Sequence, residues 1–495
     1  MRRTVRDVRT PLLLVACVLI TSCGQRLDSA SRQALLQQSL QGRNGAAAPL
    51  GNTAPSTSSD GGTSTGSRPA GSSSGTTGTG TTGVVSTTGG TTTSGTTSGT
   101  TGPVVGASTP PGGNGGATDV GVTATTITLG TVADLTGPQP GLFDGDVAGV
   151  KAYFAYVNSQ GGVFGRTLKQ VVADSALDCN QTSNAYSALV DKVFAYVGNM
   201  SLFDNCGTDV LKAHPKVPDV SFTLTPEHLN NPTTYSAQPS IPGGRTGPPL
   251  DFAQNFPGTK GAVGGLYPNV AGAVAQWNQE KAMLVHLGFT IAYEQAIPPT
   301  TVDYTQYVIG MRQANVKMVI LFNTAANNAK FVTAAQQQSF VPPVIEAPGT
   351  MYDPSFPAAA GTDVPDAYID TTTALFFNPE EAKTIPGVAL YQKWMKTVAP
   401  KQTLDQFSVF GWMEAVLFVQ ALKTAGPKAT QSSLLAAAKN THSVDTGGLV
   451  ATGDPGARRA AQCYLLAHYE KGVWKRFKSP ATGFICDKPY YVVSS

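Results

Sequence analysis

Residues Ile127–Pro138 read ITLGTVADLTGP, residues 149–166 read GVKAYFAYVNSQGGVFGR, and residues 171–174 read VVAD. The first stretch holds an apolar, β-branched run that predicts a strand over 127–133. Asp144 then caps a segment in which Val147, Val150, Phe154 and Val157 recur at helical spacing, and Gly161-Gly162 ends it. Leu168 to Ala173 reads as the next strand. Strand, helix and strand within about fifty residues make one βαβ unit, whose crossover requires the two strands to run parallel.

The alternation continues outward from this unit. Tyr186, Leu189, Val190, Val193, Phe194 and Val197 mark a second helix face, and Asp219 to Leu224 a further strand. A second series follows: strands at Ala262–Tyr267, Thr290–Glu294, Met318–Phe322 and Pro343–Glu346, with helices at Val270–Leu287, Tyr304–Met311 and Asn327–Gln338 between them. Two βαβ series in tandem imply two parallel-sheet lobes. A long helix is expected over Leu404–Thr424, stopped by Gly426-Pro427, with Phe407, Phe410, Trp412 and Phe418 as core packing. Strand-like runs at Tyr464–Ala467 and Val473–Phe477 close the chain.

Only 13% of the 495 residues are charged, about half the usual share. The deficit lies between Gly42 and Ala117, where Gly, Ser, Thr, Ala and Pro dominate and the only charges are Arg43, Asp60 and Arg68. Such a stretch lacks the apolar surface that offsets ordering entropy. It reads as a flexible tether with a reach of roughly 50 Å. Without the eight arginines and three aspartates before Thr118, 26 basic and 28 acidic residues remain in 378, a net charge of −2. That balance argues against nucleic-acid binding.

At the N-terminus, Arg2, Arg3, Arg6 and Arg9 precede the apolar run Leu12–Ile20, too short to span a bilayer. The run ends in Ile20-Thr21-Ser22-Cys23, which resembles the lipobox of bacterial lipoproteins. The resemblance implies a signal peptide over 1–22, a lipid on Cys23, and a lipid-anchor and tether region over 23–117, placing the protein outside the cytoplasm on the bacterial cell membrane. Cys17 would leave with the signal, so Cys179, Cys206, Cys463 and Cys486 remain. Four cysteines in an oxidising compartment allow three pairings. The sequence-local one, Cys179 with Cys206 and Cys463 with Cys486, is favoured, each bridge being worth about 3 kcal/mol. The absence of any Cys-x-x-Cys spacing argues against a zinc or thioredoxin-like site.

Catalytic signatures are missing. The sequence has no Gly-x-Ser-x-Gly elbow, no His-Glu-x-x-His and no phosphate-binding loop, and its five histidines are scattered singly. The expectation is a binding protein without cofactor or metal, not an enzyme.

The opening strand, the helix and above all the Asn158–Arg166 turn resemble branched-chain amino-acid-type periplasmic binding proteins, the solute receptors of ABC importers. The resemblance implies an α/β, two-lobed type I periplasmic-binding-protein fold, with parallel sheets, flanking helices and a three-strand hinge. It implies lobe I over 118–235 and 371–448, and lobe II over 236–370 and 449–495. The expected function is capture of a small polar molecule (an amino acid, amide, small carboxylate or aromatic metabolite) for a membrane permease, by a monomer. A ligand-sensing receptor domain without transport, or less readily an exported hydrolase, are the alternatives.

Family pocket positions carry over to Thr208, which follows Cys206-Gly207, and to Thr223 and Thr225 in Ser221-Phe-Thr-Leu-Thr225. By strand-end position Tyr267, Asn323 and Thr324 join them, with Tyr352 in a later loop. One departure bears on the ligand. Where amino-acid receptors carry a glutamate for the ammonium, this chain has Ala347-Pro348-Gly349-Thr350, with Glu346 upstream. A buried ammonium without a carboxylate is costly, so a simple branched-chain amino acid is disfavoured.

Overall fold

The computed structural model describes residues 106–493 apart from Ile241, Asp363, Pro365 and Asp366. The signal, Cys23 and the tether as far as residue 105 lie outside the described residues. Residues 106–117, expected in the tether, are part of the folded domain: Ala107 bridges Val163, and Phe164 N donates to Ala107 O at 2.6 Å.

In chain order the strands are β1 (Thr126–Ala133), β2 (Thr167–Asp174), β3 (Ala195–Val197), β4 (Asp219–Val220), β5 (Thr234–Tyr235), β6 (Gly243–Arg245), β7 (Val263–Pro268), β8 (Ile291–Ile297), β9 (Met318–Leu321), β10 (Val344–Pro348), β11 (Ala367–Thr371), β12 (Leu465–Glu470), β13 (Val473–Arg476) and β14 (Tyr490–Val492). The helices are α1 (Asp144–Ser159), α2 (Cys179–Leu189), α3 (Thr208–Ala213), α4 (Pro226–Leu229), α5 (Gly247–Asn255), α6 (Ala271–His286), α7 (Thr305–Gln313), α8 (Ala325–Gln337), α9 (Ser355–Ala360), α10 (Pro379–Thr384), α11 (Pro386–Val398), α12 (Gln406–Ala425) and α13 (Gln431–Lys439).

The strands form a five-stranded parallel sheet, β2-β1-β3-β4-β5, and a seven-stranded sheet, β13-β12-β11-β10-β9-β7-β8. The second is parallel except where β12 pairs antiparallel with β11 and β13. A two-stranded antiparallel sheet joins β14 to β6. Helices α11 and α12, although late in the chain, pack on α1 beside the first sheet. The chain therefore crosses between the sheets near residues 236–240, 371–374 and 449–453. The crossings are tied together: Ala374 N donates to Leu449 O, Ala451 N to Thr372 O, and Gly453 N to Ala237 O, at 2.7–2.9 Å. Glu414 of α12, fully buried, accepts from Ser236 Oγ at 2.7 Å and from Ala237 N at 3.0 Å, fastening one crossing to the helix.

Local chemistry explains the main elements. In β1, rich in β-branched residues, burial alternates over its first four positions and covers both faces toward its end. Gly161 and Gly162 adopt φ of 93° and 73°, a left-handed exit from α1 that a side chain disfavours. Asp405 starts α12 with a capping box, accepting from Ser408 N at 2.7 Å while its own N donates to Ser408 Oγ at 3.1 Å. Both favoured disulfides are present, Cys179–Cys206 and Cys463–Cys486, with Cα–Cα separations of 5.3 and 4.3 Å. The helix face expected over 186–197 ends earlier: α2 stops at Leu189, and Ala195–Val197 is the central strand β3. A short, wholly buried apolar run carries no periodicity that separates strand from helix.

Candidate functional site

A cavity of about 250 Å³ lies where the C-terminal ends of both sheets face one another. In open parallel sheets, ligands bind at that edge. Its volume falls below the range of about 300–1,000 Å³ usual for drug-sized ligands, so it suits a small one.

From the first sheet the wall is Met200 and Leu202 after β3, Phe222 and Leu224 after β4, and Leu142 and Phe143 before α1. Two buried aspartates position these loops. Asp134, at the end of β1, accepts from Leu202 N at 2.8 Å and from Ser201 Oγ at 2.8 Å and Ser175 Oγ at 2.6 Å. Burial raises its carboxyl above the ordinary range, against these hydrogen bonds. Asp204 accepts from Leu224 N at 2.7 Å, and from Thr225 Oγ1 at 2.6 Å. It also meets His228 Nδ1 at 3.0 Å, whose Nε2 meets Asp219 at 2.6 Å, all of them buried.

Helix α12 contributes Gln406, Phe407 and Phe410. Phe410 stacks on Phe222 with ring centroids 4.1 Å apart and planes within 5°, and Phe407 meets Phe143 edge-on at 4.9 Å. These contacts give the cavity an aromatic end.

The opposite end is polar and comes from the second half. Arg245 of β6 donates from Nη2 to Asp370 Oδ2 at 2.7 Å at the end of β11. Glu346 of β10, Glu280 and Gln279 of α6, and Tyr490 of β14 complete it. Arg245 and Tyr490 reach the cavity because β6 and β14 pair, Tyr490 opposite Arg245 and Val492 opposite Gly243. A Cβ on Gly243 would collide with Tyr491 O, so only glycine allows that approach. Burial first, then the neighbouring Asp370, pushes Glu280 up to about 8 and Glu346 well above the usual carboxylate range.

Of the residues carried over from the sequence, Asn323 and Thr324 line the cavity. Asn323 Nδ2 donates to Tyr304 Oη at 3.1 Å, and Thr324 Oγ1 caps α8. The other five do not line it. Thr208 Oγ1 donates to Asn205 O at 2.7 Å inside the first half. Thr225 is the N-cap of α4 and is bonded to Asp204. Thr223 is fully buried with its hydroxyl unpartnered among the described residues. Side chains along extended backbone alternate; with Phe222 and Leu224 facing the cavity, Thr223 and Thr225 are turned away from it. Tyr267 stacks on Trp277 at 5.5 Å, while its neighbour Pro268 faces the cavity. Tyr352 is buried against Phe377, its hydroxyl donating to Asn378 Oδ1 at 3.0 Å.

Sequence reasoning missed Arg245, Glu280 and Asp370, and assigned Phe407 and Phe410 to the core. Glu346 is named there only as lying upstream of the ammonium-binding position, and Phe222 lies within the Ser221–Thr225 stretch read for its threonines. Alternation in the Ser221–Thr225 stretch was a usable signal for Phe222; nothing local marks Arg245, which enters through pairing with a strand 245 residues later. Among the described residues no cluster of His, Cys, Asp and Glu could hold a metal ion, and no helix is long and apolar enough to cross a membrane.

Comparisons with known proteins give one family and many folds of the same kind. No curated protein matches the chain in sequence. Among solved structures, a fatty acid ABC transporter substrate-binding protein from Thermomonospora curvata superposes with a TM-score of 0.64 at 22% identity, covering 77% of this chain and 97% of its own. A branched chain amino acid ABC transporter protein from Thermus thermophilus with bound valine gives 0.63 at 16% identity, over 72% and 97%. A leucine binding protein from Thermotoga maritima gives 0.58 at 15% identity, over 71% and 98%. At these identities the likeness establishes the fold, which is that of the type I periplasmic binding proteins. The periplasmic binding protein profile matches residues 126–473, from β1 to the start of β13, and on that match the chain belongs to the periplasmic binding protein family.

Proposed function

We propose that this protein is the extracytoplasmic solute receptor of an ABC importer, lipid-anchored through Cys23, that holds a small, largely apolar solute with one polar head between its two halves. The observation that carries this reading is the cavity itself, walled on one side by strand ends of the first sheet and α12, and on the other by strand ends of the second. A solute touching both walls favours the closed arrangement by its differential affinity for it, and a permease can then recognise the closed form. The crossings at 236–240, 371–374 and 449–453 are the places where such closure would bend. The polarity of the cavity supports an amphipathic ligand: Phe222, Phe407 and Phe410 at one end, Arg245 and Asp370 at the other. The fatty acid and valine receptors among the structural neighbours take ligands of that general character.

The test is a thermal-shift screen of the ligand-free full chain against branched-chain and aromatic amino acids, medium-chain fatty acids, aromatic acids, amides and amines. A specific ligand at one hundred times its dissociation constant adds about 2.7 kcal/mol of stability. Phe410→Ala is expected to abolish most of that shift, through loss of the stacked wall. No shift for any class, from a folded ligand-free protein, would overturn solute capture.

A further inference from the structure

Among the described residues, the charged side chains lining the cavity are Arg245, Glu280, Glu346 and Asp370, three carboxyls against one guanidinium. The guanidinium is already committed to Asp370 Oδ2 at 2.7 Å. Asp370 is 5% exposed, yet its Oδ1 has no N–H donor. Glu346 lies beside Asp370 and can bond it only by keeping its own proton. Arg245 Nε and Gln279 Nε2 are also without acceptors. The charge of Arg245 is nevertheless matched by Asp370, and an amide such as Gln279 can turn either its oxygen or its nitrogen toward a ligand.

The charge count then discriminates between heads. A carboxylate would add a fourth acid beside one guanidinium. A zwitterion would bring that same carboxylate in with its ammonium. A cation can take the place of a carboxyl proton, and would supply the N–H donor that Asp370 Oδ1 lacks. Resting on the solute-capture reading above, we propose that the ligand is a small apolar amine whose ammonium lies among Asp370, Glu346 and Glu280, with its body between Phe222, Phe407 and Phe410.

The proton balance follows. Before a ligand enters, Arg245 is paired with Asp370, and burial, then Asp370, raises Glu280 to about 8 and Glu346 well above the usual carboxylate range, so both hold protons near pH 7 and the site is close to neutral. An R–NH3+ head entering the site takes the place of one carboxyl proton, which leaves to solvent, so the charge of the site is unchanged. The other titratable groups around it are Tyr490 of β14, pushed up to about 12 chiefly by burial, and Tyr464, which precedes β12 and bonds Asp251 of α5. Both tyrosines stay neutral near pH 7.

Calorimetry of the full chain with phenethylamine, in two buffers of different ionisation enthalpy at pH 7, tests this directly, with phenylacetate, octanoate and L-leucine run in parallel. Phenethylamine is expected to bind with release of up to about one proton and to tighten by up to about ten-fold per pH unit between pH 6 and 8. Glu280→Gln and Glu346→Gln are expected to weaken it by at least about ten-fold. If either variant fails to fold, proton release by the unaltered chain decides alone. Binding of phenylacetate, octanoate or leucine without phenethylamine would overturn the amine and leave solute capture standing. Phenethylamine binding with no proton released would overturn the placement among the carboxyls. Failure of all four probes would overturn the amine, while the broader screen above decides capture itself.

Discussion

His228 sits fully buried between Asp204 and Asp219, and each carboxylate also gathers donors from other elements: Leu224 N and Thr225 Oγ1 on one side, Asn199 Nδ2 and Thr234 Oγ1 on the other. Burial works against the imidazolium, but the two carboxylates outweigh it and push the ring up to about 10 from 6.5. A base raised in the folded state contributes stability that is fully present below pH 6.5 and is lost as pH rises through about 10. His228→Leu leaves two buried carboxylates facing each other, and an expected loss of about 3–5 kcal/mol at pH 6 follows from uncompensated buried charge. Urea unfolding of the variant at pH 6 and pH 9.5 checks it: the loss should shrink at the higher pH. The same neighbourhood shows what the sequence could and could not disclose. Ser221–Thr225 was legible as a cavity-bordering segment, but the polar residues were favoured where backbone alternation presents Phe222 and Leu224. At the polar end, Glu346 and Asp370 come from neighbouring parallel strands. Arg245 and Glu280 arrive on a separate strand and a helix. Their convergence is a product of tertiary pairing, which no local spacing announces.

Between elements, α1 and α12 approach closely. A Cβ on Gly149 would strike Ser408 O, and one on Gly411 would strike Asp146 O, so the two backbones touch where glycines face. Gly411→Ala therefore overpacks the pair, with an expected cost of about 1–3 kcal/mol, read as a lower urea midpoint with the slope unchanged. The βαβ order was legible because long amphipathic helices and β-branched strands repeat. The two- and three-residue strands β3, β4, β5, β6 and β14 were not all legible, since at that length period has no meaning. Arg166 closes the Asn158–Arg166 turn, but tertiary contacts set its task. Its side chain, 1% exposed, donates to Thr123 O at 2.8 Å, Pro427 O at 2.7 Å, and Asn114 O and Gly116 O at 2.5 and 2.8 Å. It fastens the segment ahead of β1 to the loop between α12 and α13. Arg166→Ala is expected to cost about 3–5 kcal/mol, because several carbonyls lose a charged donor at once. Hydrogen exchange should show residues 106–123 losing protection before the sheets do.

For the whole molecule, the buried acids set a common direction. Burial raises Asp405 to about 7 and Glu414 to about 8, and raises Asp146 well above the ordinary range, Glu414 and Asp405 adding to the effect on Asp146. Glu280 and Glu346 move the same way in the cavity. Both oxygens of Asp146 lack a partner among the described residues, so its ionised form is stabilised by nothing nearby. An acid raised in the folded state binds its proton more tightly there than in the unfolded chain. Its contribution is complete below the unfolded values of 3.8 and 4.5 and drains away as pH climbs through the folded values. His228 loses its contribution in the same direction. The exposed or half-buried acids Asp174, Glu294, Asp454 and Glu470 are lowered instead, so they withdraw stability only as pH falls into the acid range. The ligand-free chain should therefore be most stable in mildly acidic solution and weaken toward pH 8. Each buried acid titrating in that interval contributes at most about 1.4 kcal/mol per pH unit. Urea unfolding at pH 5.5 and 8.0 should differ by on the order of 3 kcal/mol or more. Glu414→Gln keeps an acceptor for Ser236 and Ala237 while removing the titration, and should flatten the profile by about 1–3 kcal/mol. A ligand-free profile that is flat or rises from pH 5.5 to 8.0 would mean that these acids ionise in the folded chain at ordinary pH, and would remove the proton that the amine is expected to displace.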